Sequence, residues 1–112
     1  MSWSPISVSD GRSSHHTFTT DSGVFVLTGI QNSAIALHME DINNNLTLYV
    51  CTGTWTITNA AGGLADFTPS VQDLLSTNPF GKPGLYKTYP VVTLSTGPVA
   101  MDSQVVQVLN NI

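Results

Sequence analysis

A chain of 112 residues has the length of one domain, and at that size it can bury a core without disulfides or metal ions. Only 9% of the residues are charged, and the net charge is −4, with Arg12, Lys82 and Lys87 as the basic residues. Three scattered cations cannot form the basic face that nucleic acids or anionic membranes require, so both kinds of partner are excluded.

Uncharged polar residues replace the missing charges. Serine, threonine and asparagine supply 34 of the residues, and threonine suits strands because its branched Cβ fits a pleated surface. A surface with few charges can also lie against a neighbour at low desolvation cost. The composition is therefore compatible with a subunit of an assembly and with a soluble monomer.

The N-terminal residues "MSWSPISVSDGR" lack the basic start and apolar stretch of a secretory signal. No apolar run approaches the roughly 20 residues of a membrane span. Cys51 is the single cysteine, so no internal disulfide forms. We expect a protein that folds in a cytoplasm, with no membrane partner.

Residues 1–23 are rich in serine, threonine and glycine, with Trp3 and Ile6 among a few apolar exceptions. We predict an N-terminal arm with an edge strand over 1–23, followed by a β-domain over 24–112. The arm is either partly ordered or docked on a partner through Trp3 and Ile6.

Strands are predicted from residue 24 onwards. Residues 24–27 form a short apolar strand, and 33–40 alternate apolar and polar side chains. The asparagines of 42–46 predict a turn. Residues 46–58 are predicted as one long strand. Its apolar positions change parity, which a β-bulge near Thr52 and Gly53 would explain.

The stretch "GTWTITNAAGGLADF" (53–67) contains two alternating runs joined by small residues, which predicts a β-hairpin with Trp55 in the core. A short helix is predicted in 68–79, because Thr68 can cap it and Pro69 suits its first position. Strands at 85–94 and 99–109, joined by a turn at 95–98, complete the chain.

About seven short strands linked mostly by turns favour an all-β, antiparallel β-sandwich with one short helix. The tripeptide "GLY" at 84–86 resembles the corner of immunoglobulin-like sandwiches, in which a tyrosine hydroxyl bonds to backbone upstream. Gly84 and Tyr86 are therefore predicted to be structural residues.

The histidines His15 and His16 do not predict a metal site. Adjacent strand residues point to opposite faces, and no cysteine or carboxylate accompanies the pair at ligand spacing. The same geometry argues against Glu40 and Asp41 as paired catalytic carboxylates. Asp73 lies in the predicted helix region, where a carboxylate commonly caps backbone N–H groups.

Cys51 and His38 could be written as a nucleophile and its base. However, Cys51 has no neighbouring cation and lies on an apolar strand, where a free cysteine behaves as a small hydrophobic residue. We predict that the protein is not an enzyme and has no cofactor and no metal.

Two predicted strands are apolar on both faces. They cover 46–51 and 99–109. A two-layer sandwich buries one face of each sheet, so an additional apolar face needs a cover. The N-terminal arm or the helix covers it, or another subunit does.

Three segments in order carry a resemblance to a known family. They are "LTGIQNSAIALHM" (27–39), "CTGTWTITNAAGGLADF" (51–67) and "GLYKTYPVVTLSTGPV" (84–99). Their order and spacing resemble the N-terminal immunoglobulin-like domain of phage baseplate upper proteins, over residues 24–109. The resemblance implies a phage virion protein whose immunoglobulin-like sandwich docks onto a tail, baseplate or fibre ring, usually as a multimer.

Two departures from that family matter. The connection 76–84 is longer than usual, and Phe80 at its tip is a candidate contact. Family members continue into a stalk and receptor-binding region, whereas this sequence ends at Ile112. An adaptor, a capsid decoration protein or a tail-attached cement is therefore expected.

The sequence thus predicts a non-enzymatic virion structural protein of a tailed phage, folded in the host cytoplasm. Its partners are other virion proteins and further copies of itself. Trp3 and Ile6 are expected to anchor the arm, while Phe80 and Tyr89 make secondary contacts.

The alternative is a carbohydrate- or host-receptor-binding module. Sugar sites need exposed aromatic platforms with convergent polar groups. The candidates are Trp3, Tyr49, Tyr86 and Tyr89, whereas Trp55 alternates into the predicted core.

Overall fold

The structure, a computed structural model, describes the backbone of residues 3–7 and the backbone and side chains of residues 13–109. Eleven strands are found in this part of the chain. They are β1 Trp3–Ser7, β2 Ser14–Thr17, β3 Thr19–Thr20, β4 Gly23–Val24, β5 Ile35–Asp41, β6 Thr47–Val50, β7 Thr54–Asn59, β8 Leu64–Thr68, β9 Gly84–Leu94, β10 Gly97–Ala100 and β11 Gln104–Leu109.

Six strands form the larger sheet, in the order β1-β11-β9-β5-β6, with β10 also paired to β9. All neighbours are antiparallel except β1, which pairs with β11 in parallel. The predicted strands at 33–40 and 85–94 are confirmed as β5 and β9. The turn at 42–46 is also confirmed, with φ of 54° at Asn45 and 57° at Leu46.

The smaller sheet has the order β2-β8-β7, and β3 and β4 form a separate two-stranded ladder. The predicted hairpin is confirmed as β7 and β8, with Trp55 opposite Phe67. Gly63 in its turn has a φ of 67°, and a Cβ there would lie 2.7 Å from the carbonyl oxygen of Phe25. Glycine is therefore required at this turn.

The core lies between the two sheets. Ile35, Leu37 and Met39 are buried on one face of β5, as their alternation predicts. Across from them, aromatic rings from the smaller sheet and the 79–81 turn pack in a row. The ring centroids are 5.2 Å apart for Trp55 and Phe67, and 5.9 Å apart for Phe67 and Phe80.

The prediction of one long strand over 46–58 is wrong. β6 belongs to the larger sheet and β7 to the smaller one, so the chain crosses between sheets at 51–53. The crossing is tight, because a Cβ on Gly53 would lie 2.1 Å from the carbonyl oxygen of Thr68. The change of parity in the sequence marks this change of sheet and not a bulge.

The predicted α-helix in 68–79 is also wrong, since this segment forms turns followed by a 3-10 turn, Pro79–Gly81. One side chain competes here for a backbone group that a helix would use, since the Nδ2 of Asn78 donates to the carbonyl of Gln72 at 2.7 Å. Ser70 and Asp73 cap each other's N–H groups as at a helix start, but the residues after them form i→i+3 turns, with Leu74 bonded to Val71 and Leu75 to Gln72.

The predicted final strand over 99–109 is two strands, β10 and β11, which pair with different halves of β9. Between them, the N–H of Met101 donates to Pro90 and that of Asp102 to Thr19, both at 2.8 Å. The strand predicted at 24–27 is shorter than expected and ends with β4 at Val24.

The chain is therefore mostly β, with antiparallel sheets packed around one core. Its radius of gyration, 13.5 Å, is that of a folded domain of about 100 residues. Across the described ranges, no helix has the length and apolar character needed to cross a membrane.

Candidate interaction surface

The larger sheet has one face towards the core and one face turned away from it, which we name the outer face. Because side chains alternate along a strand, the even-numbered residues of β5 and β6 and the odd-numbered residues of β9 belong to the outer face. One row across the strands contains Val50, His38 and Tyr89, and the next contains Leu48, Glu40 and Lys87.

A polar group occupies the centre of the outer face. The hydroxyl of Tyr89 donates to a carboxylate oxygen of Glu40, and the ring of His38 lies 5.4 Å from that of Tyr89. Burial, followed by the hydrogen bond and the charge of Glu40, raises the pKa of Tyr89 to about 12. Burial lowers the pKa of His38, with the charge of Glu40 acting in the opposite direction. At neutral pH, Tyr89 is thus a protonated donor beside an uncharged imidazole.

An apolar margin borders this polar centre. Its members are large apolar residues of β6 and the preceding turn that remain 38–49% exposed, namely Ile42, Leu46, Leu48 and Val50. Leu46 also has left-handed backbone, which costs a non-glycine residue about 1–2 kcal/mol. Burial among the described residues does not account for this strained and exposed leucine.

Lys87 lines two depressions. One, of about 340 Å³, is lined by Ile42, Leu46, Lys87, Ser103, Gln104 and Val105. The other, of about 280 Å³, is lined by Lys87, Tyr89, Ala100, Met101 and Ser103. Sequence reasoning did not single out Lys87, and its odd position on β9 was the one signal that could have placed it beside Tyr89.

The predicted contact residues are distributed differently from the expectation. Tyr89 lies on the outer face. Phe80 is only 1% exposed and stacks on Phe67, so the expected surface contact at the tip of its loop is corrected to a core contact. Trp3 and Ile6 lie on β1 beside β11, but their side chains are outside the described part of the chain, and their role as anchors stays a prediction.

Of the residues predicted to be structural, Tyr86 and Trp55 lie in the core and Gly84 is partly buried. Tyr86 is 1% exposed, and its hydroxyl donates to the carbonyl of Lys82 at 2.6 Å, which is the upstream bond that the Gly-x-Tyr motif predicts. A Cβ on Gly84 would be in ordinary contact, 3.6 Å, with that hydroxyl. Trp55 is 4% exposed, and its Nε1 lacks a hydrogen-bond partner within the described residues.

Asp73 is the most buried charged residue of the described chain, with 0% exposure. Its carboxylate joins the crossing between the sheets to the following turns, and its donors are the Tyr49 hydroxyl, the N–H and hydroxyl of Thr52, and the N–H groups of Gly53 and Ser70. The predicted capping of backbone N–H groups is confirmed for this residue. With so many donors satisfied, the carboxylate acts as a structural link.

The structure does not bring Cys51 and His38 together as a nucleophile and base. Cys51 is a core residue, 7% exposed, whereas His38 lies on the outer face. Burial and then the negative charge of Asp73 raise the pKa of Cys51, so its thiol stays protonated. It packs as a small hydrophobic residue, as predicted.

His15 and His16 point to opposite faces of β2, as predicted. The Nδ1 of His15 is 2.6 Å from a carboxylate oxygen of Asp66, while the ring of His16 contacts that of Trp55 at 5.1 Å between centroids. Within the described ranges, no three ligand-type side chains are grouped as a metal site would need.

Compared with models of protein families and with the sequences of curated proteins, the chain matches none of them.

Proposed function

We propose that this chain is a non-enzymatic structural protein that binds other proteins through the outer face of its larger sheet. The observation that carries the proposal is the apolar margin of Ile42, Leu46, Leu48 and Val50, which the described chain leaves open to solvent. Apolar surface that adjoins polar groups is typical of protein–protein contacts. Tyr89 and Lys87 supply the polar groups beside it.

The setting we propose is the virion of a tailed phage, with an immunoglobulin-like arrangement of the sheets. This setting rests on the resemblance of residues 27–39, 51–67 and 84–99 to the domain of phage baseplate upper proteins. The hydrogen bond from Tyr86 to Lys82 supports the immunoglobulin-like comparison. In this proposal the protein serves as an adaptor, decoration or cement, and Trp3 and Ile6 anchor its arm.

Incorporation into particles tests the proposal. The double variant Leu48→Thr/Val50→Thr keeps residues that suit a strand but loses apolar contact area. We therefore expect it to be depleted at least tenfold from purified virions. Val24→Thr with Val26→Thr is the matched control, because those valines are 54% and 53% exposed away from the outer face. Equal incorporation of both double variants would exclude the outer face, and absence of the unaltered protein from virions would exclude the phage setting.

A second candidate, binding of a carbohydrate, has one observation in its favour. Tyr49 and Tyr86 both line a pocket of about 260 Å³ together with Asp41, Asn44, Thr47, Leu48, Thr77, Asn78, Pro79 and Lys82. However, Tyr86 is buried and the hydroxyls of both tyrosines are engaged, so neither presents the open ring face that sugars stack on. Calorimetric titration with host cell-wall polysaccharide separates the two functions. A heat of binding that is present in the unaltered protein and absent in Asn78→Ala would favour the carbohydrate.

A further inference from the structure

The strand β6 is an edge of the larger sheet, and its hydrogen-bonding pattern shows which backbone groups are free. The N–H of Cys51 donates to Leu37 at 2.9 Å, so residues 37 and 51 form a hydrogen-bonded pair. Such pairs alternate along an antiparallel ladder. The pairs His38–Val50 and Glu40–Leu48 are therefore the non-bonded kind.

It follows that Leu48 and Val50 direct their N–H and C=O groups away from β5. Within the described chain no backbone group pairs with them, and β6 ends the sheet. A pocket of about 260 Å³ lies between β6 and residues 77–82.

Natural proteins protect such an edge by keeping the strand short, by charged residues, proline or a bulge, or by covering it with a helix or loop. The strand β6, "TLYV", is short at four residues, but it contains no charged residue and no proline, and its register with β5 is regular over all four residues. Leu48 and Val50 are also 49% and 44% exposed. The edge therefore has the features of a strand that is paired in the working assembly.

We propose that two copies of this chain pair through β6, antiparallel to each other, around a two-fold axis at Tyr49. In this register Leu48 lies opposite Val50 of the second copy and Val50 lies opposite its Leu48. Both pairs are hydrogen-bonded pairs, so the four free groups on each strand form four main-chain hydrogen bonds. The pairing joins the two larger sheets into one.

The occupant is a second copy because the edge is self-complementary. The two-fold axis gives two cross-strand pairs on the outer face, and each consists of a leucine from one copy and a valine from the other. Such apolar cross-strand pairs stabilise sheets. Since β6 carries no charge, no like charges meet across the axis. This inference deepens the proposed function, as it names a partner for part of the same surface, and it is tested on purified protein without any other virion component.

The register gives a sharp cross-linking test. Opposed Cα atoms of a hydrogen-bonded pair are about 5.5 Å apart, which a disulfide can bridge, whereas diagonal neighbours are about 7–8 Å apart. A mixture of the Leu48→Cys and Val50→Cys variants should form a disulfide-linked dimer under mild oxidation. Each variant alone should form at least tenfold less, and the buried Cys51 thiol, with its raised pKa, should not react.

Sedimentation of uncross-linked protein provides the second measurement. Val50→Pro removes an N–H that faces away from β5, so we expect at least a tenfold increase in the dimer dissociation constant with an unchanged circular dichroism spectrum. Leu48→Lys should act similarly, and Val24→Lys is its control for an exposed apolar residue elsewhere.

An unaltered protein that stays monomeric at millimolar concentration would overturn the proposal. So would a dimer that persists in both Val50→Pro and Leu48→Lys, or equal cross-linking in the single variants and the mixture. If dimerisation fails while virion incorporation still depends on Leu48 and Val50, the proposed function stands and the second copy is the wrong occupant.

Discussion

The carboxylate of Asp73 accepts hydrogen bonds from three separate stretches of backbone and side chain, around residues 49, 52–53 and 70. Each donor would lose its partner in the interior if the carboxylate were removed. Unsatisfied buried groups cost about 1–3 kcal/mol each, and hydrogen bonds to a charged group are among the stronger ones. The junction between the sheets therefore depends strongly on one residue.

We expect Asp73→Asn to lower the free energy of unfolding by about 2–4 kcal/mol, because an amide offers one acceptor oxygen and turns its NH₂ group towards N–H donors. Urea denaturation measures the change. Asp66→Asn is the matched control, since its partner His15 lies at the surface and such exposed pairs contribute less than about 1 kcal/mol. A similar loss in both variants would contradict the role assigned to Asp73.

We expect His16 to make the free energy of unfolding depend on pH. Burial lowers its pKa to about 4 from the 6.5 of the unfolded chain, with Asp66 opposing and His15 adding to the effect. Between these values the unfolded chain binds a proton that the folded chain does not, so stability falls as the pH is lowered from about 6.5 towards 4. The loss at the acid end should be roughly 2–3 kcal/mol.

Urea denaturation at pH 7 and pH 4.5 tests this dependence. Carboxylates also titrate in this range, so the informative quantity is the difference between the unaltered protein and His16→Gln. We expect His16→Gln to flatten the pH dependence and His15→Gln to retain it. Identical slopes in the unaltered protein and His16→Gln would show that His16 does not carry the effect.

Among the elements, β1 connects the N-terminal residues to the body of the molecule. Its residues Trp3–Ser7 run parallel to β11, in register from Val105 to Leu109. Deleting residues 1–12 should leave a folded domain, because the core between the sheets is built from residues 18–108. It should also lower the urea midpoint, since β11 loses a neighbouring strand, and abolish incorporation into virions.

The variant with Trp3→Ala and Ile6→Ala is the companion to this deletion. It keeps the backbone of β1 and removes the two predicted anchors. Incorporation that survives the deletion would refute any role for the arm. Incorporation that survives the double substitution but not the deletion would assign the role to strand pairing.

The elements also show where sequence reasoning succeeds. β5, β9 and the β7–β8 hairpin were predictable, because each alternates without interruption and ends at a turn signal. The prediction failed at 46–58, where a change of parity has two possible causes, a bulge or a change of sheet. It failed again at 68–79, where the Asn78 side chain bonds the carbonyl of Gln72 and the Asp73 carboxylate accepts from the distant N–H of Thr52.

For the whole molecule, the decisive property is which sheet face remains open. The sequence indicated two strands with apolar residues on both faces, and it left open whether the arm, the helix or another subunit covers them. In the structure β11 lies between β1 and β9, and Val105, Val106 and Val108 are buried. β6 instead ends the sheet, and Leu48 and Val50 on its outer face stay 49% and 44% exposed. The candidate surface thus depends on which face the rest of the chain leaves uncovered.

The neighbours of Tyr89 on the outer face were beyond sequence reasoning for the same reason. Glu40 and Lys87 are 47 positions apart in the chain and meet only because β5 pairs with β9. Phe80 was misassigned because a loop aromatic is apolar whether it points outward or inward. Its direction depends on the space beside Phe67, which other segments create.

Local periodicity was enough to predict a mostly β chain and the burial of Ile35, Leu37 and Met39, because side-chain alternation depends on near neighbours in the chain. Composition alone indicated a surface with little charge. Strand order, the crossing at 51–53 and the open edge at β6 depended on contacts between distant residues. Such contacts arise from the joint burial of many side chains, and no single segment encodes which partner it will meet.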